Sequence, residues 1–72
     1  MKTFTLTAII QKEDGMYVAK CPEVGTVSQG HTIEEALANL KEATELYVEE
    51  FPLKDIRHPL LTSFEVAEVA TA

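Results

Sequence analysis

The amino-acid sequence predicts a small α+β domain with the element order β-β-β-α-β. Three observations support this fold class: two runs of alternating apolar residues, an Asp14-Gly15 pair between them, and helical periodicity over residues 32–51. We expect an antiparallel three-stranded meander with the helix packed on one face. A last strand, at residues 60–67, is expected beside the first and parallel to it, which gives the strand order 3-2-1-4.

The first two strands are predicted to form a hairpin, because the Asp-Gly pair suits a type I′ turn, whose two central residues need positive φ. The first strand covers residues 2–12 and the second covers residues 16–21. This register pairs Ile10 with Ala19 and places the apolar residues of both strands on one face. That face carries Phe4, Leu6, Ala8, Ile10, Tyr17, Ala19 and Cys21.

The middle of the chain is predicted to contain a turn, a short strand and a break before the helix. Residues 22–25 form the turn, and residues 26–29 form a third strand of weak β propensity. Gly30 is expected to end this strand and to let the chain bend. The sequence has no repeat, so residues 1–72 are interpreted as one domain whose last residues, about 68–72, are frayed.

Residues 32–51 are predicted to form one amphipathic helix. Thr32 is a suitable N-cap, and Glu35 can complete a capping box by accepting the backbone N–H of Thr32. Pro52 ends the helix, because proline disfavours helical geometry in the residue before it. The apolar side of the helix carries Ile33, Ala36, Leu37, Leu40, Ala43, Thr44, Tyr47, Val48 and Phe51. The opposite side carries Glu35, Ala38, Glu42, Glu45 and Glu49.

The negative charge of the chain is concentrated in this helix. The net charge is −6, and residues 32–51 hold six glutamates against Lys41, a local charge of −5. This distribution argues against direct binding to nucleic acid, whose phosphates attract clustered Lys and Arg. The acidic side of the helix suits a basic protein partner, although a solvated helix face is the simpler interpretation.

Other functional classes find little support in the sequence. No apolar run approaches the roughly 20 residues of a membrane span, and the N-terminus has no secretory segment, so we expect a cytoplasmic protein without a membrane partner. Cys21 is the single cysteine, which excludes an intrachain disulfide. Cys21, His31 and His58 are not expected to form a metal site or a nucleophile–base pair, since Cys21 is predicted to be buried. We therefore expect no cofactor and no enzymatic activity.

Two apolar surfaces have no predicted cover within one chain. A domain of this length buries only about 60% of its unfolded surface, so it usually needs a metal, a disulfide or a partner chain. The sheet face away from the helix and the C-terminal end of the helix are predicted to mediate self-association as a dimer or tetramer. A solvated, Thr-rich sheet face is the alternative. The candidate self-association residues are Ile9, Met16, Val18, Leu46, Val48 and Phe51.

Several stretches of the sequence resemble the HicB-like antitoxin family. They run from residue 15 to residue 43 almost without a gap. The stretches are Gly15-Met16-Tyr17-Val18-Ala19, Cys21-Pro22-Glu23-Val24-Gly25, Ser28-Gln29-Gly30-His31-Thr32-Ile33-Glu34-Glu35-Ala36 and Asn39-Leu40-Lys41-Glu42-Ala43. The resemblance implies a partial RNase-H-like fold. It also implies binding to a small, basic, RNA-cleaving toxin of the HicA type, which such domains neutralise by covering it.

On this resemblance we expect a protein-interaction module that acts by occlusion. The residues expected to face the toxin are Glu42, Glu45 and Glu49. Many members of the family carry a C-terminal DNA-binding domain, which is not expected here because the sequence ends at Ala72. An RNase-H-like nuclease needs converging carboxylates, and the predicted core faces of the first two strands have none. The alternative function is a solitary homo-oligomeric domain with another binding or scaffolding role and no toxin partner.

Overall fold

A computed structural model of the protein describes residues 3–70. Its elements in chain order are β1 (Ile9–Glu13), β2 (Met16–Lys20), β3 (Val27–Gly30) and α1 (Ile33–Glu50). The predicted α+β class is confirmed, with three antiparallel strands and one helix in the described part of the chain. Lys2 of the predicted first strand and residues 71–72 of the predicted tail lie outside the described residues.

The three strands form a meander in the order β1-β2-β3. Ile10 pairs with Ala19, as predicted, and Ala19 pairs with Ser28 across the next ladder. Asp14 and Gly15 connect β1 to β2 with φ of 48° and 79°, the positive values that a type I′ turn requires. Because β1 begins only at Ile9, the apolar alternation of residues 3–8 continues outside the ladder.

The predicted fourth strand is wrong for the single chain. Residues 51–70 contain no strand, so the order of the sheet is 3-2-1 without a fourth member. An alternating sequence becomes a strand only where a neighbour supplies partners for its backbone groups. Within the described chain, residues 60–67 are exposed and irregular, and they pair with none of the three strands.

Helix α1 begins at a cap that differs in one bond from the prediction. The Oγ1 of Thr32 accepts the backbone N–H of Glu35 at 3.0 Å, as expected of an N-cap. The Glu35 carboxylate, however, accepts the backbone N–H of His31 at 3.1 Å instead of that of Thr32. The helix ends at Phe51, whose N–H donates to the carbonyl of Tyr47 at 2.9 Å.

Gly30 has a different role from the predicted strand break. It is the buried last residue of β3 and pairs with Tyr17. A Cβ at this position would lie 2.5 Å from the backbone nitrogen of Ala36 and 2.8 Å from the carbonyl carbon of Glu35. Glycine is therefore what lets the first turn of α1 pack so closely on β3.

The hydrophobic core is small and lies under one side of α1. Thr44 is buried next to it, and its hydroxyl shares a 2.7 Å hydrogen bond with the hydroxyl of Thr26. The buried apolar residues of the described chain are Ala19, Cys21, Ala36 and Leu40. Partly buried around them are Leu6, Ile10, Tyr17 and Val24. Several residues predicted to face the core are instead exposed, namely Phe4, Ala8, Ile33, Leu37, Tyr47 and Phe51.

Candidate protein-interaction site

A groove runs along the side of α1 that the sheet leaves open. The helix packs mainly against β3 and β2, so the side that faces residues 3–8 has no strand beneath it. The open space has a volume of about 1130 Å³. We call this space the groove, and its large apolar lining residues are Phe4, Leu6, Leu37, Leu40, Val48 and Leu53.

The position of the groove explains why part of the predicted core is exposed. Leu37 is 46% exposed and Phe4 is 47% exposed. Helical periodicity predicts that Leu37 faces the helix–sheet interface, and strand alternation predicts the same for Phe4. The predicted fourth strand would have covered both residues, since it was expected beside the first strand. The residues have the pattern of a core, and the element that would complete it is absent from the described chain at this place.

The predicted toxin-facing residues lie beside the groove. Glu42, Glu45 and Glu49 are all exposed, and the last two also line the groove. The Nζ of Lys41 lies 3.9 Å from an Oε2 of Glu45, with both side chains largely exposed. Lys41 is the single basic residue among the six glutamates of residues 32–51, so the helix keeps a strong net negative charge. The result is an apolar groove with a largely acidic rim.

The predicted self-association residues of the sheet lie on the face away from α1. Ile9, Met16 and Val18 are each half-buried. Ile9 pairs with Lys20, which pairs in turn with Val27, an exposed apolar residue of β3 that the prediction omitted. Polar residues therefore alternate with apolar ones across this face, and its apolar surface is interrupted.

The other three predicted self-association residues lie near the end of α1. Leu46 and Phe51 are each 58% exposed. The ring of Phe51 packs at 4.9 Å from the ring of Tyr47, which extends the exposed apolar surface. Val48 lines the groove, whereas Leu46 lies on the opposite side of the helix. The structure thus divides the six residues among three surfaces.

A second apolar surface is found in residues 60–67, which we call the C-terminal segment. Leu60 is 97% exposed, Phe64 is 83% exposed and Val66 is 78% exposed. In an extended chain, residues two apart point to the same side, so these three residues share one face. Large apolar side chains of a soluble chain are seldom this exposed in a contiguous row.

Glu23 is a buried carboxylate that connects three parts of the chain. Its side chain is only 1% exposed, and it accepts the backbone N–H of Thr7 at 3.0 Å and the Thr7 hydroxyl at 2.6 Å. The Nδ1 of His58 lies 2.6 Å from its Oε2, and the Cys21 thiol lies 3.6 Å from its Oε1. An ionised carboxylate only accepts, so Nδ1 of His58 donates here. Glu23 therefore fixes residue 7 and residue 58 to the turn after β2.

The environment of Glu23 favours its ionised form. Burial acts to raise the pKa of the carboxyl group, but the hydrogen bonds from Thr7 and His58 outweigh it and lower the pKa to about 2. Its ordinary value in the absence of these partners is 4.5. At neutral pH the chain thus contains a buried negative charge held by several donors.

Cys21, His31 and His58 are not arranged as a nucleophile and its base. A thiol nucleophile needs a base within hydrogen-bonding distance, and here Glu23 lies between Cys21 and His58. His31 is exposed and precedes the helix cap. Among residues 3–70, no three His, Cys, Asp or Glu side chains converge in a way that could hold a metal ion. None of the helices in that range is long and apolar enough to cross a membrane.

Comparison with known proteins gives the family of the chain. A UPF0150 protein of Synechocystis sp. is 56% identical over 57 residues, which cover 76% of this chain and 78% of the relative. The chain belongs to the UPF0150 family. A second UPF0150 protein of Synechocystis sp. is 50% identical over 48 residues, which cover 64% of this chain and 61% of the relative. A UPF0150 protein of Helicobacter pylori is 50% identical over 44 residues, which cover 60% of this chain and 61% of the relative.

Neither a family model nor a solved structure matches the chain. The chain spans less than two thirds of the length of two of the three UPF0150 relatives described above.

Two positions of this UPF0150 domain have roles that the sequence does not predict. Residues 22–25 are predicted to form a turn, and nothing near Glu23 predicts that its carboxylate becomes buried. Its partners Thr7 and His58 are 16 and 35 residues away in sequence. The sequence predicts Gly30 to be a strand break, whereas the structure gives it a packing role at the end of β3. A glycine two residues before an N-cap could have been interpreted as a point of close helix–strand contact.

Proposed function

We propose that this chain is a protein-binding module of the HicB-like antitoxin type, acting in the cytoplasm. It neutralises a small, basic, RNA-cleaving toxin by covering it, without catalysis. The residues that carry the resemblance, 15 to 43, form one continuous unit of the fold: β2, the turn after it, β3, the cap and the first half of α1. The family to which the chain belongs has a name that specifies no activity, so the proposal depends on the resemblance and on the surface.

The observation that carries the proposal is the acidic rim beside an apolar groove. A basic partner would be attracted by the glutamates of α1 and would then bury apolar side chains against Leu37 and Val48. Charges at the rim of an interface mainly accelerate association, whereas buried apolar contacts slow dissociation. The arrangement supports binding by occlusion, since it offers area and charge to a protein surface.

The test is association with a HicA-type toxin, measured at several salt concentrations. Replacing Glu42, Glu45 and Glu49 together by Gln is expected to lower the association rate roughly tenfold at low salt and to flatten its salt dependence. The control replaces Glu13, Glu65 and Glu68 by Gln, because this changes the net charge equally at exposed positions outside the helix. Toxin that cleaves RNA at an undiminished rate in the presence of excess chain would contradict the proposal.

A second candidate function is a homo-oligomeric binding domain without a toxin partner. The observation that favours it is the amount of apolar surface left uncovered in one chain: the sheet face, the end of α1, the groove and the C-terminal segment. We expect at least a dimer, and a tetramer if two of these surfaces are used together. Light scattering at micromolar concentration measures this directly, and a mass near that of one chain excludes it.

Residue substitutions can locate the contact on the sheet face. Val18→Glu is expected to weaken self-association by placing a charge among Ile9 and Met16. Thr5→Ser, at an exposed position before β1, is expected to leave it unchanged. Equal masses for the parent and Val18→Glu would remove the sheet face from the interface.

A further inference from the structure

We propose that two copies of the chain exchange their C-terminal segments. Residues 60–67 of each copy form a strand in the groove of the other copy, beside its residues 3–8. This inference rests on the self-association proposed above as the second candidate function, and it names the residues and the geometry that produce it. It is an alternative to toxin binding in the groove, because a partner's segment and a toxin cannot occupy the same space. In the single chain, no strand fills the groove, and the strand-like residues 60–67 have no apolar surface to pack on.

The C-terminal segment has the composition of a strand with one buried face. Leu60, Phe64 and Val66 occupy one side, with Thr62 between them. The one charged residue of the segment, Glu65, belongs to the other side. An uncharged apolar face of this kind matches the apolar lining of the groove and avoids bringing a charge into it.

The groove and the segment also match in length. Lining residues of α1 run from Glu34 to Glu49, which corresponds to about 23 Å at 1.5 Å per residue. Residues 60–67 span about 23 Å when extended at 3.3 Å per residue. The segment can therefore contact the lining along its whole length.

The sheet has a free edge at the same place. β1 pairs with β2 on one side, and no described strand pairs with it on the other. The backbone of residues 3–8 continues this edge outside the ladder. An unpaired edge beside an apolar groove provides hydrogen-bond partners for an added strand.

The path of the chain favours a segment from a second copy over the segment of the same copy. His58 is attached to Glu23, and residues 60–70 continue from there as exposed chain. The radius of gyration is 15.7 Å, and the longest dimension is 59 Å. A compact chain of this length has a radius of gyration of about 11 Å. The segment therefore extends outwards, where the groove of another molecule can receive it.

Two prolines limit the backbone geometry at both ends of the connecting stretch. Pro52 and Pro59 flank the stretch between α1 and the C-terminal segment, and each restricts the residue before it to extended geometry. Exchange of an identical element between two copies is a low-cost route to a dimer. Reciprocal exchange closes a two-fold dimer, because each copy gives one segment and receives one.

The experiment uses two variants of the full chain, each defective in one half of the contact. Phe64→Asp places a charge on the apolar face of the segment and leaves the groove intact. Leu37→Asp places a charge in the groove and leaves the segment intact. Phe64 is largely exposed and Leu37 is about half exposed in the single chain, and neither belongs to its buried core. Leu61→Asp, on the other side of the segment, is the matched control.

Light scattering is expected to give the mass of two chains for the parent and for Leu61→Asp, and that of one chain for each defective variant. Mixing the two defective variants in equal amounts should restore the mass of two chains, because one intact segment then meets one intact groove. The helical circular dichroism signal, followed in parallel, shows whether a variant that unfolds alone regains structure on mixing.

Three results would overturn the exchange. A parent of one-chain mass excludes it together with self-association. If the parent has the mass of two chains, and Val18→Glu dissociates it whereas Phe64→Asp does not, the contact lies on the sheet face and the exchange is excluded. Loss of the dimer in both variants without restoration on mixing would mean that the segment acts within its own chain.

Discussion

Residues 9–50 and residues 52–70 follow the same kinds of sequence pattern and reach different structures. In the first region, alternating residues become strands, because the hairpin turn brings a partner strand within a few residues. In the second region, the C-terminal segment also alternates, yet it forms no strand and stays exposed. An apolar alternation therefore indicates a buried face without indicating which chain buries it.

The two regions also differ in how their polar groups are satisfied. The Thr32 cap, the Thr26–Thr44 pair and the bond from Asn39 to the Gln29 carbonyl lie within the first region. The C-terminal segment has one long side-chain contact, from the Thr62 hydroxyl to the Ser63 carbonyl at 3.5 Å. Glu23 is the place where the two regions meet, through His58.

The largest expected effect comes from a residue of the first region. Leu40 is 4% exposed at the centre of the small core, so Leu40→Ala should lower the free energy of unfolding by about 2–5 kcal/mol. Leu61→Ala makes the same chemical change in the second region, where Leu61 is exposed. It should change the free energy of unfolding by less than about 0.5 kcal/mol. Urea unfolding at a fixed protein concentration measures both, and equal effects would contradict the contrast between the regions.

The secondary structure of the first region could largely be predicted from sequence. The Asp-Gly turn and its register, the cap at Thr32 and the helix end before Pro52 all depend on residues close in sequence. The fourth strand could not be placed in the same way, since its pairing is a long-range property. Its predicted position beside the first strand corresponds to the groove that the structure leaves open.

The candidate site was predictable only in its charged part. Glu42, Glu45 and Glu49 follow from helical periodicity alone. The groove could be predicted only from the position of α1 on the sheet. That position depends on the close contact at Gly30, which leaves no signal in the local sequence pattern. The binding of Glu23 by Thr7 and His58 joins residues distant in sequence, so no short-range signal could reveal it.

The next largest effect concerns Glu23, because it connects the two regions. Its pKa is lowered to about 2 in the folded chain, from 4.5 without its partners. The stabilisation is therefore fully present above about pH 4.5 and is lost as the pH falls towards 2. Glu23→Gln should lower the free energy of unfolding at pH 7 by about 1.5–3 kcal/mol, because charged hydrogen bonds are lost.

The pH dependence separates this effect from a simple packing defect. Between pH 4.5 and 2 the parent should lose stability more steeply than Glu23→Gln, so that the two unfolding curves converge on acidification. Glu13→Gln, at an exposed position of β1, is the control and should keep the slope of the parent. Parallel pH profiles for the parent and Glu23→Gln would show that the carboxylate is not held as described.

The smallest expected effect tests whether the first region owes its structure to local bonds. Thr32→Ala removes the acceptor of the Glu35 N–H, and an N-cap threonine contributes about 1 kcal/mol. Since the Glu35 carboxylate still accepts the His31 N–H, the helix should keep its start and lose stability without losing length. Thr62→Ala, the same substitution in the second region, should change the unfolding free energy by less than about 0.5 kcal/mol, because the Thr62 hydroxyl makes only a long contact. Urea midpoints and helical circular dichroism decide the matter together: coincident midpoints for Thr32→Ala and the parent would mean that the cap is dispensable, and that packing on β3 alone sets the start of α1.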